Sequence, residues 1–265
     1  MIHATVNGIS FASLGLGLTK YNIPVLPDTR DYGVEIAGKD GEIDFGSVYS
    51  SRTFTLECVL MADDSSFDYH QKIATIASVF NAKKGDLDLY FSDRQGRRYM
   101  ARYAGSMPIE KLIFDGMVSI PLKMHNPYPE SQQDTSAKEY GQGLEYGQGY
   151  EYATSSVQVT KSSQSIPIQH DGTAEVAPFI RITGNFTNLS LSDGTNTFTF
   201  TGTTTGTDVI EIDCKKFTVK KNGVNAYGST NGVFFLLKPG TTTFIANSTN
   251  PNFKIEFIFR HTYLY

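Results

Sequence analysis

The sequence predicts a mainly β protein of two modules, the first with one α-helix and the second a jelly-roll or lectin-like β-sandwich. Three observations lead to this prediction. Short alternating apolar segments recur between turn signals along both halves of the 265-residue chain. The chain has 15 Tyr and 18 Phe, which favour pleated and half-buried surfaces, and 24 Gly, which suit turns. One segment alone has the spacing of an amphipathic helix.

The first 130 residues alternate strand patterns with turn signals. The candidate strands are Val34–Ala37, Thr53–Leu60, Leu87–Phe91, Tyr99–Tyr103 and Met117–Met124. Residues 38–41 and 93–96 have the composition of hairpin turns. In the last candidate strand, Pro121 lacks the N–H that a ladder needs, so we expect either an edge strand or a local break.

A helix is predicted from four apolar residues at spacings of 4, 3 and 4, namely Tyr69, Ile73, Ile76 and Phe80. This spacing places them on one helix face, which we expect to pack on the sheet. Ser66 or Asp68 can cap the start of the helix, and Gly85 follows its end.

A tandem repeat divides the chain. Residues 139–152 read EYGQGLEYGQGYEY, which has neither a helical nor a strand period. We therefore predict a first module at 1–130, a Gly-, Tyr- and Ser-rich linker at 131–165 and a second module at 166–265. The repeat is either a disordered tether or an ordered strip whose Tyr140, Tyr146 and Tyr152 lie along a neighbouring surface.

The second module has strand patterns throughout. They are Phe179–Thr183, Leu189–Ser192, Thr197–Thr201, Val209–Asp213, Phe217–Lys220, Val233–Leu237, Phe244–Ala246 and Phe253–Arg260. Asp193-Gly194 and Asn222-Gly223 are two-residue hairpin signals. Short strands with frequent turns and no helix indicate a sandwich.

Composition and motifs exclude several function classes. Residues 1–135 hold 13 Lys/Arg and 17 Asp/Glu, and residues 136–265 hold 10 of each, so neither half is basic enough for electrostatic capture of nucleic acid. Cys58 and Cys214 form no disulfide framework or metal pattern and are expected to be buried thiols. We find no hydrolase, nucleotide-binding or metal motif, no transmembrane stretch and no secretory signal, and so expect no cofactor, no catalysis and no membrane insertion.

One basic cluster contains Arg94, Arg97, Arg98 and Arg102. Either these residues decorate the solvated tip of a hairpin, or they contact an acidic neighbouring subunit. Nucleic acid is a weaker interpretation, because the surrounding half of the chain is acidic.

An ordered set of short motifs resembles the distal tail protein family of siphophages and prophages of Gram-positive bacteria. In the first half the motifs are 6–9 (VNGI), 30, 34–41 (VEIAGKDG), 45–46, 49, 52, 54–60, 87–91, 93, 97–102 (RRYMAR) and 126–128 (NPY). In the second half they are 177–184 (APFIRITG), 212–213, 221–225 (KNGVN) and 235–240 (FLLKPG). Lys39 departs from the Arg that is more familiar in that turn.

The resemblance implies a structural component of the virion tail tip, made in the bacterial host cytoplasm. It implies a hexameric ring formed by a sandwich or barrel-like N-terminal module, with a galectin-like C-terminal module at the periphery. The expected partners are other copies of the chain, the major tail tube protein, the tail-tip hub and, in some relatives, receptor-binding proteins. The alternative is a carbohydrate-binding adhesin acting through the lectin-like module, for which Tyr227 and Asn225 are candidate contacts.

Overall fold

The computed structural model describes residues 2–61, 66–112, 115–136 and 156–265. These residues form two compact units, each with its own hydrophobic core. The first unit comprises Met1–Glu130 together with Leu264–Tyr265, and the second comprises Ser131–Tyr263. Strands predominate in both units, which confirms the mainly β fold class.

The first unit contains the strands up to Glu130 and the α-helix. In chain order they are β1 (Ala4–Val6), β2 (Ile9–Ser10), β3 (Leu16–Tyr21), β4 (Thr29–Glu35), β5 (Glu42–Tyr49), β6 (Arg52–Leu60), α1 (Ser66–Val79), β7 (Leu87–Phe91), β8 (Arg97–Tyr103), β9 (Ile109–Leu112) and β10 (Asp115–Met124), and β11 (Glu130–Ser131) spans the boundary with the second unit. Short 3₁₀ helices occupy Ala12–Leu14 and Ala82–Lys84.

The main sheet of the first unit follows the order β2-β1-β7-β8-β10-β6-β3. Along β6 every second side chain is buried, because a strand alternates its side chains between the two faces of a sheet. Phe54, Leu56, Cys58 and Leu60 enter the core in this way. Burial of Cys58, as expected, raises the pKa of its thiol to about 12.

Pro121 lies on a central strand, so the edge-strand alternative was wrong. β10 runs between β8 and β6, and Pro121 is opposite Thr55 of β6. On the other side, β9 pairs with residues 115–118 and β8 pairs with residues 122 and 123. Pro121 falls between these two partners, at a local break where its missing N–H costs no ladder bond.

Helix α1 confirms the predicted spacing. Tyr69, Ile76 and Phe80 are at most 2% exposed, and Ile73 packs against the same core. The Lys72 ammonium lies 2.8 Å from the Asp68 carboxylate one turn earlier. The described part of the chain contains no helix with the length and hydrophobicity that a membrane crossing needs.

The second unit consists of strands and one short 3₁₀ helix, Tyr227–Ser229, among the residues described. The strands are β12 (Ser156–Val159), β13 (Ser163–His170), β14 (Phe179–Ser192), β15 (Thr197–Thr203), β16 (Val209–Asp213), β17 (Thr218–Lys221), β18 (Val224–Asn225) and β19 (Gly240–Ile258). They follow the order β12-β19-β14-β16-β17-β18, with β13 added to β19 and β15 added to β14. Asn222-Gly223 forms the predicted two-residue turn between Lys221 and Val224. Asp193-Gly194 instead begins a four-residue turn, residues 193–196, between Ser192 and Thr197.

Two long strands, β14 and β19, organise the second unit. Their pairing register shifts after Asn185, so the first part of β14 pairs with β16 and its last part pairs with β15. Gly184 sits at this bend with a φ of +129°, and a Cβ there would lie 2.5 Å from the Asn252 carbonyl oxygen. A side chain at this position would force the two strands apart. The core of this unit is apolar and includes Cys214, and burial raises the pKa of its thiol to about 11.

Two segments of the predicted linker contact β19. Ser156–Val159 is a strand paired with β19, and the Thr135 hydroxyl donates to the Phe257 carbonyl at 2.7 Å. Both segments fall within the second compact unit, Ser131–Tyr263. Residues 137–155, which include the tandem repeat, lie outside the described residues.

Candidate assembly interface

A two-stranded hairpin, made by β4 and β5, is the most exposed regular element of the first unit. These strands pair with each other as a separate sheet, and among the described residues neither pairs with another strand. Every residue of β4 is exposed, and so is every residue of β5 except Ile43. We call residues 29–49 the arm. An isolated two-stranded hairpin is marginally stable in water, so the arm is an element that gains from a partner surface.

One face of the arm is apolar. The cross-strand pairs Val34–Ile43 and Arg30–Val48 place those four residues on the same face, because directly opposed residues of an antiparallel pair point the same way. Tyr32 and Phe45 share that face by alternation. The large apolar side chains that the arm exposes to solvent on this face and in the turn are Tyr32 (47%), Val34 (50%), Ile36 (47%), Phe45 (67%) and Val48 (51%).

The opposite face of the arm is acidic. Glu35 is opposite Glu42, and Asp31 and Asp44 fall on the same side of the hairpin. Four carboxylates on one face keep that face in water, because stripping an ionised carboxylate of water without a cationic partner is costly. The arm is therefore amphipathic across its thickness, and its apolar face is the one suited to contact.

A bulge shapes the arm near its middle. The register shifts between Asp31 and Gly33, where Phe45 and Gly46 together oppose Tyr32. Gly46 has a φ of +89°, and its N–H donates to the Asp44 carboxylate at 2.7 Å. A bulge bends a strand and increases its twist. Here it changes the direction of the Phe45 side chain compared with that in a regular strand.

The base of the arm is tied to the first unit by Arg52, at the start of β6. Its side chain is 1% exposed, and its guanidinium donates to the Pro24 carbonyl at 3.1 Å and to the Leu264 carbonyl at 2.7 Å. Pro24 precedes the arm and Arg52 follows it, so this contact joins the two ends of the hairpin. The Ser50 N–H donates to the Asp28 carbonyl at 2.7 Å and closes the base.

The predicted basic cluster lies on and just before β8, and Arg94, Arg98 and Arg102 contact named partners within the first unit. The Arg98 guanidinium contacts Glu130 at 2.9 Å and Asp88 at 3.3 Å. The Arg102 guanidinium contacts Asp86 at 2.9 Å and remains 41% exposed. Arg97 lies on the same strand. A contact between these arginines and a neighbouring subunit stays a prediction.

Arg94 sits within a cage of tyrosines. Its guanidinium carbon lies 4.1, 5.2 and 5.9 Å from the ring centres of Tyr265, Tyr21 and Tyr99. It also donates to all three hydroxyls. Burial works against its charge, but the hydrogen bonds to Tyr99 and Tyr21 outweigh it, so the pKa of Arg94 is raised. The cage is a packing arrangement that sequence reasoning missed, because Tyr265 lies 171 residues after Arg94 in the chain.

Two further sets of contacts were predicted, one for the tyrosines of the tandem repeat and one for the candidate carbohydrate contacts of the second unit. Tyr140, Tyr146 and Tyr152 lie outside the described residues, so their contact with a neighbouring surface stays a prediction. Tyr227 and Asn225 do lie together in the second unit, where the Tyr227 N–H donates to the Asn225 side-chain oxygen at 3.0 Å.

Two protein-family models match the chain. One, described as a phage tail protein RIFT-related domain, matches residues 11–124. The other, described as a siphovirus-type tail component, C-terminal domain, matches residues 171–263. No curated protein matches the chain in sequence.

The chain is also similar to solved phage structures. The crystal structure of the SPP1 Dit protein (gp 19.1), described as a paradigm of the hub adsorption apparatus in phages infecting Gram-positive bacteria, matches with a TM-score of 0.71 and 16% identity, over 98% of this chain and 99% of that chain. Baseplate chains of phage p2 in the activated conformation match at 10% identity. The TM-score is 0.47 with Sr (98% of each chain) and 0.46 with Ca (97% of this chain and 98% of that chain).

Proposed function

Because the chain belongs to the distal tail protein family of siphophages and is a structural component of the phage tail, we propose that its copies form a ring that joins the tail tube to the tail-tip hub. The arm is the observation that carries this proposal. It presents an apolar face at the surface of the first unit, and fully burying each large apolar side chain of that face stabilises an assembly by about 1.5–3 kcal/mol.

A projecting arm suits a closed ring. If the arm of one copy docks on a different surface of the next, the contact is heterologous, and repeated rotation closes the ring without leaving an arm unpaired. The acidic face of the arm is a chemical match for the basic cluster on β8, where the Arg102 side chain is 41% exposed. The ring is hexameric by resemblance to the family.

The remaining partners follow from the position of such a ring in a tail. One face of the ring meets the tail tube protein and the other meets the tail-tip hub, and receptor-binding proteins attach at the periphery. This placement puts the chain at the virion tail tip. An adhesin acting through the second unit is not favoured as the main function, because both matched family models describe tail components.

The mass of the purified chain in solution tests the ring. We expect the 29.3 kDa chain to assemble at micromolar concentration into a species of about six copies, measured by light scattering after size-exclusion chromatography. Phe45→Asp and Val34→Asp should each shift the mass to the monomer. A carboxylate at a buried apolar contact costs roughly 3 kcal/mol or more, which is about a hundredfold in affinity.

A matched control separates the arm from exposed apolar residues in general. Leu236 is 51% exposed and lies in the second unit, so Leu236→Asp should leave the assembly intact. Assembly that survives both arm variants would remove the arm from the interface. A wild-type chain that stays monomeric at every concentration would count against a self-assembling ring.

A further inference from the structure

A concave site on the second unit lies beside the edge hairpin formed by β17 and β18. Its volume is about 340 Å³. It is lined by Phe217, Thr218, Val219, Lys220, Asn225 and Tyr227. The volume falls in the range of small-molecule sites, roughly 300–1,000 Å³.

Aromatic rings form one wall of this site. Phe217 is 66% exposed and meets Phe234 edge-on, with 5.3 Å between ring centres. Phe234 in turn stacks on Tyr227 at 6.3 Å, with 20° between the ring planes. Phe217 and Tyr227 are thus the two exposed rings of a continuous aromatic surface that is braced by Phe234.

The backbone at Phe217, whose ring is exposed, is strained. Its φ is +55°, in the left-handed region that a bulky residue rarely adopts. The preceding turn is held by the Asp213 carboxylate, which accepts from the N–H groups of Lys215 and Lys216 at 3.1 and 2.9 Å. Strain of this kind persists where the surroundings fix it, and such positions concentrate at ligand clamps.

Tyr227 is also held in place. Besides the hydrogen bond from its N–H to Asn225, its ring passes over Gly232, where a Cβ would lie 2.5 Å from the Tyr227 hydroxyl oxygen. Gly232, with a φ of +72°, leaves the room that the tyrosine occupies. The aromatic surface is therefore organised before any ligand arrives, which lowers the entropy that binding must overcome.

Polar side chains line the same site. Lys220 is directly across from Asn225 in the β17–β18 pair, so both side chains lie on one face. Val219 between Thr218 and Lys220 points into the core, which places Thr218 on that outer face as well. An ammonium, an amide and a hydroxyl thus surround an aromatic surface, with donors and acceptors within one small site.

We propose that this site binds a carbohydrate. A pyranose ring has an apolar C–H face, which would lie on Phe217 and Tyr227, and hydroxyl groups at its edge, which would exchange hydrogen bonds with Lys220, Asn225 and Thr218. The site combines these two surfaces at the scale of one or two sugar rings. The inference is independent of the ring proposal, since its residues belong to the second unit and the arm belongs to the first.

Size and charge argue against other ligands. A stable protein–protein contact buries about 800 Å² per partner, far more than two exposed rings and three polar side chains offer. Residues 136–265 hold 10 Lys/Arg and 10 Asp/Glu, so this half lacks the positive field that draws a nucleic acid. A carbohydrate needs neither a large flat surface nor a net charge.

Saturation-transfer NMR on the full chain tests the site. The probes are the methyl pyranosides of glucose, galactose, N-acetylglucosamine, rhamnose and glucuronic acid, followed by an array of defined bacterial oligosaccharides. At least one probe should show transfer, strongest at protons on one face of the ring. Tyr227→Ala should weaken its binding by roughly tenfold or more, as expected when a central aromatic contact is lost, and Lys220→Ala should weaken it to a lesser extent.

Val224→Ala is the matched control, because Val224 is 71% exposed on the same hairpin and does not line the site. It should bind like the wild type, and unchanged melting temperatures would show that all three variants are folded. The proposal is overturned if no pyranoside or oligosaccharide binds, or if binding survives Tyr227→Ala. Binding of an oligothymidylate probe, or a self-association that Tyr227→Ala abolishes, in place of sugar binding would equally overturn it.

Discussion

Arg52 shows how one buried cation can organise a surface element. Its guanidinium donates to the Pro24 carbonyl, which precedes the arm, and to the Leu264 carbonyl. Burial lowers the pKa of Arg52. A buried charge without such partners would be expelled or neutralised. The two carbonyls are 240 residues apart in the chain, so nothing in the local sequence around Arg52 reveals the contact.

We expect Arg52→Met to destabilise the first unit by about 3 kcal/mol, because it leaves two buried carbonyls without their charged donor. The matched change Arg102→Met removes an exposed ion pair and should cost less than about 1 kcal/mol. Hydrogen exchange of β6 and β10, followed by mass spectrometry, measures the difference. Exchange about a hundredfold faster in Arg52→Met alone is the expected result, and equal effects of the two changes would contradict it.

A buried histidine pair marks the second unit. The rings of His170 and His261 stack with 5.4 Å between centres, and their Nδ1 atoms are 3.1 Å apart. His170 Nε2 donates to the Ala174 carbonyl at 2.7 Å, which makes its Nδ1 the acceptor in the neutral ring. Burial lowers the pKa of His170, although the Ala174 carbonyl and the Asp171 carboxylate act in the opposite direction.

This pair makes the stability of the second unit fall with acidification. Below the unfolded pKa of about 6.5, the unfolded chain binds a proton that the native His170 excludes. Stability is therefore complete above that pH and declines as the pH falls toward the native pKa, by as much as about 2 kcal/mol near pH 5. Urea unfolding at pH 7.5 and pH 5 measures the change. His170→Gln should flatten the dependence, whereas His125→Gln, at an exposed position, should not.

At the scale of elements, local sequence patterns predicted the features that depend only on residues close together in the chain. The 4-3-4 spacing gave the face of α1, and the Asn-Gly pair gave a two-residue turn of the second unit. The arm was anticipated as a strand at Val34–Ala37 followed by a hairpin turn at residues 38–41, whereas the structure has Thr29–Glu35 paired with Glu42–Tyr49. Alternation of apolar and polar residues predicts that one face of a strand is buried, but it does not identify what buries it. The same pattern arises whether the face packs on the core of its own unit or on another copy of the chain.

Because the arm lies outside the core, its removal should separate assembly from folding. Replacing residues 31–47 by a short Gly-Ser turn keeps the Arg30–Val48 pair and the bond between Ser50 and Asp28 at the base. We expect the melting temperature to change by no more than about 2 °C, since no core side chain is lost, while the mass in solution falls to that of a monomer. A large loss of stability would show that the arm supports its own unit.

At the scale of the molecule, the sequence predicted two modules because each has its own pattern of strands. The boundaries were less predictable, since the polar segments around Thr135 and Ser156 owe their order to pairing with β19, about 100 residues later. The basic cluster was selected from its charge alone, and the structure shows Arg98 and Arg102 already paired within the first unit. Burial and long-range pairing are not encoded in local composition.

The return of Leu264 and Tyr265 to the first unit has a consequence for the order of events during synthesis. A ribosome makes both residues only after all of residues 131–263, so a nascent chain lacks the carbonyl that completes the Arg52 contact at the base of the arm. The second unit is thus synthesised between the two segments that make up the first unit, Met1–Glu130 and Leu264–Tyr265. The Arg52 contact at the base of the arm can therefore be completed only after the second unit has been synthesised.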